Sequence, residues 1–191
     1  MKRIPIIATL VVLAAVAAMV ALGVWQLHRK GEKEAMIARY AQAATLPPVA
    51  YPAFPPATDA LLFRRASGFC LEPVAIVASA GRNLAGASGW RHVASCRTGA
   101  EGPGMEVDIG WSRSADMPRA WGGGEVTGVL TQGTTQKLRL VAATPAPGLM
   151  PSLPPTPADI PNNHLGYAIQ WFAFAAIAAI IYVLALRRRQ G

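Results

Sequence analysis

Apolar positions along this chain fall into three textures. Residues 4–25 and 165–186 are continuous apolar runs without a single Asp, Glu, Lys or Arg. Each is about 22 residues long, or roughly 33 Å as a helix, which is enough to cross the hydrocarbon core of a bilayer. Between them, residues 61–143 switch to short β-favouring runs divided by glycines. These predict strands at 61–69, 74–78, 90–96, 105–111, 125–131 and 137–143. Within the last, Leu138, Leu140 and Ala142 alternate with Arg139 and Val141, a weak period of two. The third texture is proline-rich: Pro47, Pro48, Pro52, Pro55 and Pro56 before the strands, and residues 145–161 after them, where regular structure is not expected.

Residues 31–44 contain no helix breaker after Gly31. They place Met36, Ile37 and Tyr40 on one face, so a helix should continue or kink beyond the first apolar run. The expected organisation is a transmembrane helix with a short cytoplasmic N-terminus (1–27), a juxtamembrane helix (28–44) and a connector (45–60). An exported β domain (61–144), a second connector (145–163), a second transmembrane helix (164–186) and a cytoplasmic basic tail (187–191) follow. The fold class is a membrane protein whose two terminal helices flank a small, mainly antiparallel β domain, barrel- or sandwich-like. About 80 residues bury only a modest core, so that domain should lean on the helices or on a partner.

Charge sets the expected topology. Lys2 and Arg3 precede the first run, and Arg187, Arg188 and Arg189 follow the second. Basic flanks stay in the cytoplasm, which puts both ends on one side of the membrane and the central domain outside the cytoplasm. The formal charge of +8 is therefore mostly topological: the stretch between the runs carries thirteen Lys and Arg against ten Asp and Glu. No basic stretch is interleaved with aromatics, so the lipid bilayer is an expected partner and nucleic acid is not. A cleaved signal peptide is the rival reading of the first run, but secretory apolar cores are only about 7–15 residues long.

Cys70 and Cys96 both fall in the exported region, where a disulfide or two buried thiols are equally open readings. Enzyme chemistry finds no support. No Ser/His/Asp grouping stands on a recognisable elbow, no Cys-x-x-Cys occurs, and no glycine-rich phosphate loop precedes a helix. Asp108 and Asp116, flanking Trp111, read as turn residues, and His92 as a surface or turn residue. His28 and His164 instead stand at the same edge of the two apolar runs if these pair as a hairpin. His164, Tyr167 and Trp171 recur at i, i+3 and i+7, one helical stripe. A histidine above such a stripe can ligate haem iron; it can equally belong to an ordinary aromatic belt. The cluster His28, Arg29, Lys30 and Lys33 reads as headgroup contact or as a seat for an anionic group.

The blocks GVWQLHRK at 23–30 and NHLGYAIQWFAFA at 163–175 resemble the membrane-edge motifs of the surfeit locus protein 1 family. Weaker likenesses occur at Gly89-Trp90-Arg91-His92-Val93, at 107–111 and at 125–130. The resemblance implies a non-enzymatic assembly factor for haem–copper cytochrome c oxidase, assisting delivery of haem a to subunit I or stabilising that subunit. It makes His164 the candidate haem-iron ligand, with Tyr167 and Trp171 beside a transiently held haem a. The implied partners are cytochrome c oxidase subunit I and a haem a synthase. The alternative is a membrane-anchored scaffold that binds an unassembled subunit without touching haem. The chain departs from the family pattern at Ile109-Gly110-Trp111, where relatives carry arginine before Gly-Trp.

Overall fold

A computed structural model of the chain describes residues 5–54, 59–117, 119–134 and 138–190, without the side chains of 189 and 190. Lys2, Arg3, Pro55, Pro56 and Lys137, and the side chain of Arg189, lie outside the described residues. Contacts divide the chain into two units: residues 1–37 with 161–191, and residues 38–160.

The first unit is a helix pair. Helix α1 spans Ile6–Thr45 and α2 spans His164–Gln190. Both are long and apolar enough to cross a membrane. Most of their apolar surface is uncovered by protein, as at Ile7 and Ile169. What is covered follows one stripe. In α1, Thr9, Val12, Val16, Met19, Gly23 and Gln26 are shielded in alternating steps of three and four; in α2, His164, Ala168, Trp171, Ala175, Ala178 and Tyr182 repeat that spacing. This is the heptad seam of two helices packed at a shallow angle, with small residues allowing close approach. The helices run antiparallel, because Thr9 is hydrogen-bonded to Tyr182 at one end and Gln26 to His164 at the other. A Cβ on Gly23 would come within 2.7 Å of the Phe172 ring, so only glycine fits the seam there without displacing the ring. Gly31 introduces no break. At 40 residues, α1 is roughly 60 Å long, about twice a hydrocarbon core.

The second unit holds seven strands: β1 (Val49–Ala50), β2 (Arg65–Cys70), β3 (Glu72–Arg82), β4 (Ser88–Arg97), β5 (Met105–Ser112), β6 (Gly124–Gln132) and β7 (Leu138–Ala142). Six answer to the strands expected from sequence. The exception is β1, inside the first proline-rich connector, which pairs in parallel with β2. All seven belong to one sheet, in the order β1-β2-β6-β7-β5-β4-β3. The pairing is mainly antiparallel; β1 with β2 and β5 with β7 are parallel.

The sheet is strongly curled. In a flat sheet β2 and β4, four strands apart, would stand about 19 Å from each other. Instead Cys70 and Cys96 are joined by a disulfide with their Cα atoms 5.2 Å apart. Leu71, the one residue between β2 and β3, donates its N–H to the Arg97 carbonyl at 2.9 Å. The sheet therefore folds round on itself at this corner, around a core that includes Ala66, Met105, Val107, Ile109, Leu130 and Leu140.

Residues 145–153 are more than a connector. Ala146 N–H reaches the Ile109 carbonyl (2.7 Å), Trp111 and Met150 exchange backbone bonds (2.7 and 2.9 Å), and Leu153 N–H reaches Arg82 (2.8 Å). This strap crosses β5 at Gly110, whose φ of 135° suits glycine, and where a Cβ would meet Leu149, Met150 and Pro145 at 2.8–3.0 Å. Covered on both faces, β5 is buried from Met105 to Trp111. Its alternate side chains Glu106 and Asp108 both lie inside the protein, Glu106 against Thr134 and Arg139 and Asp108 against Ser152 of the strap.

Candidate functional site at the helix entrance

The residues that carried the haem expectation are brought to one end of the helix pair, but not in equal positions. His164 opens α2, partly covered, with Nδ1 2.7 Å from Gln26 Oε1 on α1. Because a carboxamide oxygen only accepts, Nδ1 carries the proton in this arrangement and the lone pair resides on Nε2. Trp171 is two turns further along the same seam, half-buried, with its ring edge-on to Phe174 at a centroid distance of 6.3 Å. Tyr167 is 51% exposed and turns away from the seam. It lines a concavity of about 430 Å³ with Asn162, Asn163, Gly166 and Gln170. The stripe expected from spacing is thus split. A helix of 3.6 residues per turn, meeting a partner along one narrow line, keeps i and i+7 on that line and pushes i+3 to its flank.

Gln26 is the residue the sequence reading passed over. Its signal was a lone carboxamide at the end of an apolar run, where an unpaired polar group is costly. His28 is exposed. Arg29 and Lys30 are paired along their own helix with Glu32 (2.5 Å) and Glu34 (2.6 Å). Such exposed pairs hold each other weakly and yield readily to a stronger anion.

A second polar cluster lies in the β unit, and it corrects two expectations. His92 is neither a surface nor a turn residue: it is fully buried in β4, with Nε2 2.8 Å from Ser112 Oγ. Asp108 is likewise not in a turn. It is buried in β5, its Oδ1 accepting from Gly110 N–H (3.1 Å) and Ser152 Oγ (2.7 Å). The strap beside β5 holds Asp108 through Ser152. Asp116 does sit in an exposed turn, accepting from Ser114 Oγ at 3.1 Å. Ser112, His92 and Asp108 have the residue types of a hydrolytic triad but not its wiring. Ser112 donates to the Ser114 carbonyl at 2.5 Å, so it accepts from His92. That leaves His92 Nε2 protonated and without a lone pair to activate the serine.

Burial pushes the Asp108 carboxyl above the usual carboxylate range, against the bonds from Ser152 and Gly110 and the charges of Arg91 and Arg139. Burial lowers the His92 imidazole below its ordinary value, against the Ser114 carbonyl and Asp108. Ionised Asp108 therefore opposes folding: its cost is absent below the ordinary pKa of 3.8 and develops as pH rises above that value. Among the described residues its Oδ2 has no hydrogen-bond partner. Asp108→Asn should raise stability at pH 7 by about 1 kcal/mol and leave it unchanged near pH 3. Chemical denaturation of both proteins across that range checks this; an equal gain at pH 3 contradicts it.

The SURF1 family profile matches residues 13–176, from within α1, through the whole β unit, to the middle of α2. The match covers both halves of the entrance, Gln26 and His164, and most of the chain. The chain belongs to the SURF1 family. This family is associated with assembly of cytochrome c oxidase, and the two-helix, one-sheet architecture agrees with a membrane-anchored member. A comparison with curated proteins gives no match. In this SURF1-family protein the departure at Ile109 falls in the core: Ile109 is 1% exposed among apolar neighbours, where no counter-ion is needed. It also forms the floor of a cleft of about 400 Å³ bordered by Trp121, Glu125, Thr127 and Pro147.

Proposed function

We propose that this SURF1-family protein is a non-enzymatic assembly factor of the bacterial inner membrane that holds haem a transiently at the entrance of its helix pair. From there it assists haem delivery to subunit I of cytochrome c oxidase, or steadies that subunit. The observation that carries the reading is the Gln26–His164 contact. It fixes the imidazole at the helix seam in the tautomer that presents Nε2, the form a haem iron needs. Trp171 and Phe174 supply apolar ring surface nearby, and Arg29 and Lys30 supply cations about one turn beyond Gln26. Haem a, when bound, would supply the iron that takes the Nε2 lone pair and carboxylates for those cations. One imidazole with apolar packing suits a carrier, since two strong ligands would slow release.

The antiparallel pairing of α1 and α2 supports a topology with both chain ends in the cytoplasm and the β unit in the periplasm. Oxidase subunit I and a haem a synthase are the partners this arrangement would meet. A scaffold that never touches haem is the second reading. It is favoured by the same hydrogen bond taken as mere satisfaction of two polar groups in the seam.

His164→Ala separates the two. Haem copurifying with the protein should fall at least tenfold, with a parallel loss of haem a signal in oxidase spectra. Unchanged haem content in both measurements defeats the haem-seat reading. Parent protein that stays colourless when coexpressed with haem a synthesis supports the scaffold.

A further inference from the structure

We propose that β3 is a self-association edge, pairing antiparallel with β3 of a second copy of this chain about a two-fold axis through Val77. β3 ends the strand order and has only β4 beside it. Among the described residues, no backbone hydrogen bond reaches its outer side between residues 73 and 81; the strap touches only its far end, at Arg82 and Asn83. Eleven residues of edge is long, and such a row of open N–H and C=O groups templates another strand. Proteins that keep an edge apart place lysine or an inward charge along it. Here the interval from Pro73 to Gly81 carries no charge, and Val74 and Val77 stand 73% and 58% exposed. Pro73 and the neighbouring bulge blunt one end only.

Charge placement selects the occupant. The only charged residues of β3 are its first, Glu72, and its last, Arg82. They stand five positions either side of Val77. Antiparallel pairing of two copies about Val77 therefore sets Glu72 of each, which holds Arg97 of its own copy in an exposed ion pair at 2.5 Å, opposite Arg82 of the other, giving two complementary charge clusters at the rims. Between them Val74 faces Ala80 and Ala75 faces Ser79, small partners that permit a ladder. The bulge beside each Glu72 offsets both rims alike by about one residue, some 3.3 Å, which these long side chains span. A parallel pairing would put like charges together. The contact is isologous and closed, so it stops at two copies.

The test uses the full-length protein in detergent and in native membranes. Val77→Cys lies on the axis and should cross-link to itself on mild oxidation with oxidised glutathione. Ala80→Cys, whose copies would stand about 20 Å apart, should cross-link at least tenfold less. By light scattering, Glu72→Arg and Arg82→Glu should each weaken the dimer about tenfold, and the double exchange should restore it to within about threefold. A monomeric parent protein, equal cross-linking at both cysteines, or a double exchange no better than the singles overturns the proposal. Cross-linking of Val77→Cys to a different protein overturns it too, assigning the edge to that partner.

Discussion

Glu106→Ala is expected to cost about 3–5 kcal/mol of stability, the largest effect of any single substitution considered. Glu106 on β5 and Arg139 on β7 face each other in register across the parallel pair. Their ion pair is almost sealed from water, with side chains 2% and 7% exposed. The surrounding bonds are also directed at it: Thr134 N–H donates to both Glu106 oxygens at 3.1 and 3.2 Å, and Arg139 donates to Thr134 Oγ1 at 2.5 Å. Removing the carboxylate leaves a guanidinium buried without its counter-charge, and that uncompensated charge dominates the loss. Glu106→Leu combined with Arg139→Met should recover most of it, because the desolvation cost of both ions disappears. Denaturant titration followed by fluorescence of the buried Trp111 reads the difference. Single and double variants of equal stability would show that the pair carries no such cost.

Loss of the disulfide comes next. Cys70→Ser with Cys96→Ser should lower stability by about 3 kcal/mol, since a crosslink over 26 residues no longer restricts the unfolded chain. The effect should be largest at the corner where β2 turns into β3, because the crosslink holds that corner against β4. Hydrogen exchange in β2 and β3 should rise by about a hundredfold while the helix pair is unaffected. Equal protection with and without the crosslink would mean that the curl of the sheet is held by packing alone.

Much of the architecture was legible because it is written locally. Two charge-free runs of membrane-spanning length are read directly, and they became α1 and α2. Glycine punctuation located six of the seven strands within a few residues. The seventh, β1, was hidden by its prolines: only Val49, Ala50 and Tyr51 stand between Pro48 and Pro52 with N–H groups available for pairing. The family membership was legible too, in the two blocks that contain Gln26 and His164.

The buried polar groups were not legible. Nothing in the run from Met105 to Trp111 distinguishes a half-exposed strand, with Glu106 and Asp108 in water, from one covered on both faces. The covering comes from far along the chain: Thr134 and Arg139 close on Glu106, and Ser152 of the strap closes on Asp108. His92 was misjudged because its neighbours Gly110 and Ser112 reach it only through strand pairing.

Sequence alone therefore determined the helices, six of the seven strands and the lineage, since hydropathy, turn chemistry and motif are properties of neighbouring residues. Tertiary structure decided the choice between disulfide and thiols, the burial of Glu106, Asp108 and His92, and the partner of His164. Each depends on strand order or helix pairing that joins residues from 20 to 138 positions apart. Such contacts are set by how the whole chain buries its apolar surface, which no local window contains.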